Sequence, residues 1–444
     1  MKAYLAYKDS DRNWIGRIPN HWKMVQLKFV APRITEKIDN PGDFEFQLAL
    51  ENIESSTGKI TGSSSFEGVG NAFQKGDVLL NKLRPYLRKA VIAPSNGVAV
   101  GELLVLRPEK NVDGRFLHYW VLENGFISLV DGSTYGAKMP RANWDFIGNL
   151  KLSFPPLPEQ QAIADFLDCK TAQIDALIEK KQRQIELLQE QHTALINQAV
   201  TKGLNPDASM KDSGIEWLGE IPEHWSMTTV RYLFDVKLGK MLDSSKQDAY
   251  DLVKPYLRAA NIHWNKILLD EVGMNEMGFT ETQLERYLLQ PGDLLVTEGG
   301  VTVGRSSIWN GEVKECYYQN SLNRARPLKK TTTKWLYYWM YFLTNDGYID
   351  ILADKATFGH LTNEKLKALP IPIPPVSEHA KIIEKLESFE PKVDAQVALI
   401  KKQIELLKEY RTALISEAVT GKIDVRGEIR PDRFQKPVRS GEKD

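Results

Sequence analysis

This chain is written twice. Asp9-Ser10 and Trp14-Ile15-Gly16-Arg17-Ile18-Pro19-Asn20-His21-Trp22 return as Asp212-Ser213 and Trp217-Leu218-Gly219-Glu220-Ile221-Pro222-Glu223-His224-Trp225, at a constant offset of 203 residues. Two tryptophans, a glycine, a proline and a histidine falling in register exclude coincidence. Further islands repeat in the same order. Lys75-Gly76-Asp77-Val78-Leu79-Leu80 answers to Pro291-Gly292-Asp293-Leu294-Leu295, and Leu106-Arg107-Pro108 to Ala325-Arg326-Pro327. Phe154-Pro155-Pro156-Leu157-Pro158-Glu159 answers to Ile373-Pro374-Pro375-Val376-Ser377-Glu378. Residues 185–201 and 404–420 share 12 of 17 identities at an offset of 219. Such a chain folds as two tandem copies of one unit, each an irregular segment of about 155–170 residues followed by a helical one.

The helical segments follow the Pro-Pro pairs and hold no further Gly, and no Pro but Pro158 at the very start of the first and Pro391 in the second, up to Gly203 and Gly421, where glycine ends helices readily. Ile174, Ile178, Lys181, Ile185, Leu188, His192, Leu195 and Ala199 alternate spacings of three and four, as do Val393, Val397, Ile400, Ile404, Leu407, Arg411, Leu414 and Ala418. That spacing is a coiled-coil seam, and the polar members Lys181, His192 and Arg411 are of the kind that fix register. An apolar stripe is first of all packing. Two equivalent stripes are each other's natural partners, so an antiparallel pair with a pseudo-twofold relation is expected. About 40 residues of helix make a rod of about 60 Å.

The globular segments read as mixed α and β. Short strands are predicted at Asp77–Leu80, Ala90–Ala93, Leu103–Leu106, Asp293–Thr297 and Ser306–Trp309, between Gly, Asn and Asp turn signals. Short helices are predicted at Gly114–Asn124 and Thr333–Leu343. Trp335, Tyr338 and Trp339 lie at helical spacing and are expected in a core rather than on a base-stacking platform. The fold class is α+β, with globular domains at 1–158 and 204–373, long helices at 159–203 and 374–425, and a tail at 426–444.

Composition sets the outer limits. Apolar residues make up 42% and charged residues 26%, as in globular proteins, and no apolar run approaches a membrane span. Two cysteines, Cys169 and Cys316, exclude a disulfide framework or cysteine-rich zinc site; with an N-terminal stretch unlike a signal peptide, they point to a cytoplasmic chain. Charge is balanced, 58 basic against 58 acidic residues. Residues 1–158 carry 20 Lys+Arg and 16 Asp+Glu, a balance of +4, while residues 204–372 carry 19 and 22, a balance of −3. Neither segment is an electrostatic clamp for phosphate.

The repeated Trp-(Ile/Leu)-Gly-x-Ile-Pro-x-His-Trp motif resembles the opening of the target-recognition domains of type I restriction-modification specificity subunits. Tyr256-Leu257-Arg258-Ala259-Ala260-Asn261-Ile262 resembles another family motif, echoed weakly by Gln47-Leu48-Ala49-Leu50-Glu51-Asn52-Ile53. Pro155-Pro156-Leu157-Pro158-Glu159-Gln160-Gln161 is similar to the start of that family's spacer helix. The resemblance spans the chain to about Gly427. It implies a non-catalytic subunit whose two domains each read half of a split double-stranded DNA target, with the helices setting the unread gap. It further implies docking to two methyltransferase subunits and to restriction–translocase subunits. S-adenosylmethionine, ATP and Mg then belong to those partners, and this chain holds no cofactor or metal. Two readers on one face of B-DNA lie about 34 Å apart, a separation such a rod can hold.

The candidate DNA-contacting residues come from basic, glycine-bearing segments. In the first domain they are Lys82, Arg84, Tyr86, Arg88 and Lys89, followed by Tyr135, Lys138 and Arg141. In the second they are Thr302 and Arg305 of Glu298-Gly299-Gly300-Val301-Thr302-Val303-Gly304-Arg305, Thr357 and His360, with Arg258 and Asn261 from the family motif. Each could equally be a solvated surface side chain. The glycine-rich run lacks the Gly-Lys-Ser/Thr ending of a phosphate-binding loop. Two other functions compete. A single-chain methyltransferase–nuclease is opposed by the lack of an Asn/Asp-Pro-Pro-Tyr/Phe tetrad, since Pro-Pro stands only before Leu157 and Val376. A structural coiled-coil adaptor suits the neutral charge but leaves two large, diverged globular segments without a use.

Overall fold

A computed structural model describes residues 2–62, 64–242, 252–328, 332–352 and 360–428. The chain divides into two compact units, one formed by residues 1–182 and 401–444 and the other by residues 183–400. Two helices exceed all others: the first long helix, Leu157–Thr201, and the second, Val376–Val419. Pro391 lies inside the second without ending it. Each helix gives one part to each unit.

Unit 1 is built on a four-stranded antiparallel sheet in the order Arg33–Ile34, Leu103–Leu106, Val78–Asn81, Ala90–Ile92. A second sheet runs Lys37–Ile38, Gly70–Phe73, Gly97–Val100, Gln47–Leu48, its last pair parallel. Unit 2 repeats the first sheet with Phe234–Leu238, Leu322–Pro327, Leu294–Thr297 and Ser306–Ile308 in the same relative order. The predicted strands thus sit where the Gly-Asp and Arg-Pro islands placed them, within a residue at their ends. The predicted helix Gly114–Asn124 is shorter. It ends at Val121, because the Glu123 carboxylate caps the next helix by accepting from the Phe126 N–H. The Thr333–Asn345 helix buries Trp335, Tyr338 and Trp339, and both indoles donate to carbonyls of the 370–373 strand.

The repeated islands pair with one another. Asp77, buried at the base of its strand, accepts two bonds of 2.8 Å from the Arg107 guanidinium, and Asp293 accepts two of 2.6 Å from Arg326. Each aspartate also accepts a backbone N–H three residues earlier, from Gln74 or Gln290. The fork-to-fork geometry satisfies a carboxylate that burial would otherwise penalise. The motif histidines behave alike. His21 Nε2 lies 2.7 Å from Glu159, and His224 Nε2 lies 2.6 Å from Glu378, so each Trp motif is clasped to the first turn of a long helix. Gly16 and Gly219, inside the motif, have φ of +70° and +68°, a turn a side chain would strain.

The cores absorb both long helices. In unit 1, Ile163, Ala164 and Leu167 join Leu414, Ile415, Ala418 and Val419 around Trp22 and Trp120. Asp175 faces Arg411 at 3.0 Å, while Ser153, ahead of the first helix, reaches the Val419 carbonyl. Numbers therefore rise along one helix as they fall along the other. In unit 2, Ile196, Ala199 and Val200 share a core with Ile382, Ile383 and Leu386, and His192 approaches Glu390. Of the predicted seam, Ile174, Ile185, Val393, Ile400, Ile404 and Leu414 are buried, and Ile178, Leu188, Leu195, Val397 and Leu407 half-buried. Past the second helix, Lys422 Nζ donates to the Ile15 carbonyl and Asp424 bridges Lys2, which closes unit 1.

Replacing Asp293 with alanine leaves a guanidinium without its buried partner and is expected to cost unit 2 about 3–5 kcal/mol. A urea titration followed by circular dichroism should split into an earlier and a later transition; one unchanged transition would contradict this role.

Candidate nucleic-acid interface

The paired strands Val78–Asn81 and Ala90–Ile92 are joined by the segment 82–89, too long for a two-residue hairpin turn. Instead Pro85–Leu87 form a single 3-10 turn, with Arg84 and Arg88 on either side at φ of +51° and +49°. Left-handed backbone is uncommon for arginine, and each such residue costs about 1–2 kcal/mol. In unit 2 the matching turn is Gly300–Thr302, where Gly300 and Gly304 stand at φ of +76° and +81°. The left-handed positions 84 and 88 thus return at 300 and 304, made cheaply by glycine in one unit and against strain by arginine in the other.

A second segment, over 50 residues further on, meets this turn. Leu83 bridges Arg141, the Arg84 N–H donates to the Pro140 carbonyl at 2.8 Å, and Arg84 Nη2 reaches the Lys138 carbonyl at 3.4 Å. The two basic segments therefore form one ridge, with Arg84, Tyr86, Tyr135 and Lys138 exposed along it. Unit 2 makes the equivalent join. Gly299 bridges His360, and the Leu361 N–H donates to the Glu298 carbonyl at 2.7 Å. A side chain at 299 would strike the His360 ring, so glycine is required there. Val301 and His360 are exposed on that ridge, and Thr302 and Arg305 half-buried. Thr357 lies outside the described residues.

Several candidates make contacts within the protein or are partly buried. Asn261 is fully buried: its amide donates to the Leu268 and Gly273 carbonyls at 2.8 and 2.9 Å while its oxygen accepts the Arg258 N–H. It holds a turn and has no face left for DNA, as Asn52 does in unit 1 with the Ala49 N–H. Arg258 is half-buried, and its Nε is enclosed. Lys89 donates to the Leu50 carbonyl at 2.6 Å, and Arg141 grips Glu102 through Nε and Nη2, which raises its guanidinium pKa. Arg88 is half-buried, and burial lowers its pKa.

Two residues escape a sequence reading. Burial, then the nearby charges of Arg33, Lys37 and Arg141, push the Lys82 ammonium below the usual lysine range, against the pull of Glu102. Arg33 and Lys37 therefore extend the basic surface beside the ridge. They stand alone in sequence, about 45 residues upstream of Lys82, and only the sheet gathers them.

Three sequence matches and two fold matches bear on this arrangement. The profile described as the type I restriction modification DNA specificity domain matches the chain twice, over residues 19–187 and 222–409. The chain is 24% identical over 437 residues to the type I restriction enzyme MjaVIII specificity subunit of Methanocaldococcus jannaschii, covering 92% of this chain and 95% of that one. It is 32% identical over 153 residues to the EcoDI specificity subunit of Escherichia coli, covering 33% and 34%. A solved chain from work on the complex assembly and conformational transition of a type I restriction-modification system is similar in fold, with a TM-score of 0.73 at 19% identity, covering 91% of this chain and 99% of that one. The HsdS subunit from Thermoanaerobacter tengcongensis gives a TM-score of 0.53 at 18% identity, with 91% and 98% covered.

Arg84→Gly removes the left-handed strain while loosening the unfolded chain, so thermal stability is expected to hold or to rise by up to about 1 kcal/mol. A melting curve that falls instead would show that the arginine side chain, not the ridge's exposure, explains its presence.

Proposed function

Since this chain belongs to the type I restriction-modification DNA-specificity family, we propose that each unit reads one half of a bipartite, asymmetric DNA target through its ridge. The observation that carries this reading is the ridge itself: the same join and the same left-handed positions in two copies, dressed with different side chains. Arg84, Tyr86, Tyr135 and Lys138 on the first, and Val301, Thr302 and His360 on the second, would meet different base edges in the major groove. Arg33 and Lys37 would hold phosphates and set orientation.

The two long helices are proposed to form an antiparallel coiled coil with pseudo-twofold symmetry, which sets the length of the unread gap. The opposed numbering of the helices inside each unit supports this. We assign no chemistry to the chain. Methyl transfer, cleavage and translocation, with S-adenosylmethionine, ATP and Mg, fall to two methyltransferase subunits and to restriction subunits in a cytoplasmic complex. The charge balance fits that division, because a neutral chain gains little affinity from counterion release and depends on a complex to hold DNA. Among the described residues no helix is long and apolar enough to cross a membrane.

Selection from randomised duplex, with the partner methyltransferase present, should enrich one bipartite motif; no enrichment would sink the reading. Arg84→Ala should weaken recognition of one half-site, about tenfold for a contact near 1.4 kcal/mol, with preference at the other half unchanged. Inserting four residues near Gln189, with a matching insertion near Val393, lengthens each helix by about 6 Å and should widen the gap without altering either half-site. Unchanged spacing in the selected motif would contradict the helices as a ruler.

A further inference from the structure

Each unit contains a cleft where a turn of the globular domain leans over the two long helices, and the two clefts are copies of one another. The turns correspond: Ser56 and Asn265, each four residues after a buried turn-forming asparagine, both have positive φ. The helix positions correspond at the repeat offset of 219, Asp175 with Asp394 and Arg411 with His192. Their chemistry has parted completely.

The cleft of unit 1, about 580 Å³, carries three carboxylates, Glu54, Asp175 and Glu179, against three cations, Lys59, Lys408 and Arg411. Arg411 spans it: Nε donates to Asp175 Oδ1 at 3.0 Å and Nη1 to the Ser56 carbonyl at 2.8 Å, while Lys59 adds a second cation 3.7 Å from Asp175. This cleft is neutral from within, and its own arginine already occupies Asp175.

The cleft of unit 2, about 410 Å³, keeps two carboxylates, Glu390 and Asp394, and among the described residues no lysine or arginine lines it. His192 stands where Arg411 does. Its Nε2 is enclosed without a hydrogen-bond partner, 3.7 Å from Glu390. Three aromatic rings, none of them present in the first cleft, have been added. Trp264 meets Tyr341 edge-to-face at 4.9 Å and Tyr337 at 6.0 Å, and His192 lies 5.8 Å from Tyr341. All three rings line the cleft, and aromatic rings attract cations. Carboxylates beside aromatic faces select a planar or compact organic cation over a hydrated metal ion.

We propose that this cleft binds an external organic cation, a guanidinium or primary ammonium on an alkyl stem, in the place the Arg411 side chain occupies in unit 1. Two observations beyond the carboxylates carry this. The equivalent carboxylate, Asp175, already ligates a guanidinium, and the rings appear only where the internal cation is gone. The site stands apart from the ridges and does not rest on the DNA-reading assignment. Its ligand is an arginine or lysine side chain of a partner protein, or a free polyamine; both offer the same group.

The test uses the full chain labelled with 5-fluorotryptophan, with the Trp264 resonance assigned through Trp264→Phe. It is titrated with N-acetyl-arginine amide, with the neutral isostere N-acetyl-citrulline amide, and with spermidine. A saturable shift is expected for a cation, at least tenfold tighter than for citrulline; the order of the arginine amide and spermidine names the source. Asp394→Asn, at an exposed position, should weaken binding at least tenfold without disturbing the fold. His192→Arg supplies the cation from within and should abolish the shift while the protein stays folded. No saturable shift, citrulline binding as tightly as arginine, or wild-type binding by both variants would overturn the proposal.

Discussion

A buried aspartate gripped by an arginine fork decides what the rest of each unit can be. Asp77 sits at the start of the strand that leads into the ridge, and Arg107 at the end of the strand beside it; Asp293 and Arg326 do the same in unit 2. A carboxylate so enclosed must be paired and hydrogen-bonded or the sheet cannot close over it. Once paired, it fixes the register of the two strands, and the register fixes where the connecting turn emerges. The ridge is therefore aimed by a contact a full strand length away. This explains why the Gly-Asp and Arg-Pro islands persist in both copies while the turn between them has changed almost every side chain.

What the sequence made legible follows from the same division. Residues that hold the fold had to stay, so they showed as islands: the Trp motif, Gly-Asp, Arg-Pro and the Pro-Pro starts of the long helices. Their grouping into pairs was not legible, because Asp77 and Arg107, or His21 and Glu159, are brought together only by sheet order and helix docking. Basic residues were legible as types and not as contacts. Lys89 donates to the Leu50 carbonyl and Arg141 to Glu102, and Asn261 is a buried turn former. Arg33 and Lys37, distant from Lys82 in sequence, are brought near it by the sheet. The meeting of 82–89 with 135–141 was the least visible of all, since nothing local encodes it.

The arginines at 84 and 88 show how the duplication has been used. A turn with two left-handed positions is made for glycine, and unit 2 keeps it so. Unit 1 tolerates the strain to place a cation and a hydrogen-bonding fork at the apex, a pattern more usual at working surfaces than in passive ones. The backbone is shared, and the chemistry displayed on it is free to differ. The two clefts along the long helices follow the same rule, one neutralised by its own arginine and the other lined with rings.

The division of the chain between units has a consequence for how the molecule is made. Unit 2 is a continuous stretch, residues 183–400, whereas unit 1 needs residues 1–182 together with residues beyond 400. The 218 residues between them take on the order of 10–40 s to synthesise. Throughout that interval Ile163, Leu167 and Trp22 lack Leu414, Ile415 and Val419, their partners in the core. The half that leaves the ribosome first is the half that closes last. A nascent chain of this design spends much of its synthesis with the apolar face of its first unit still open.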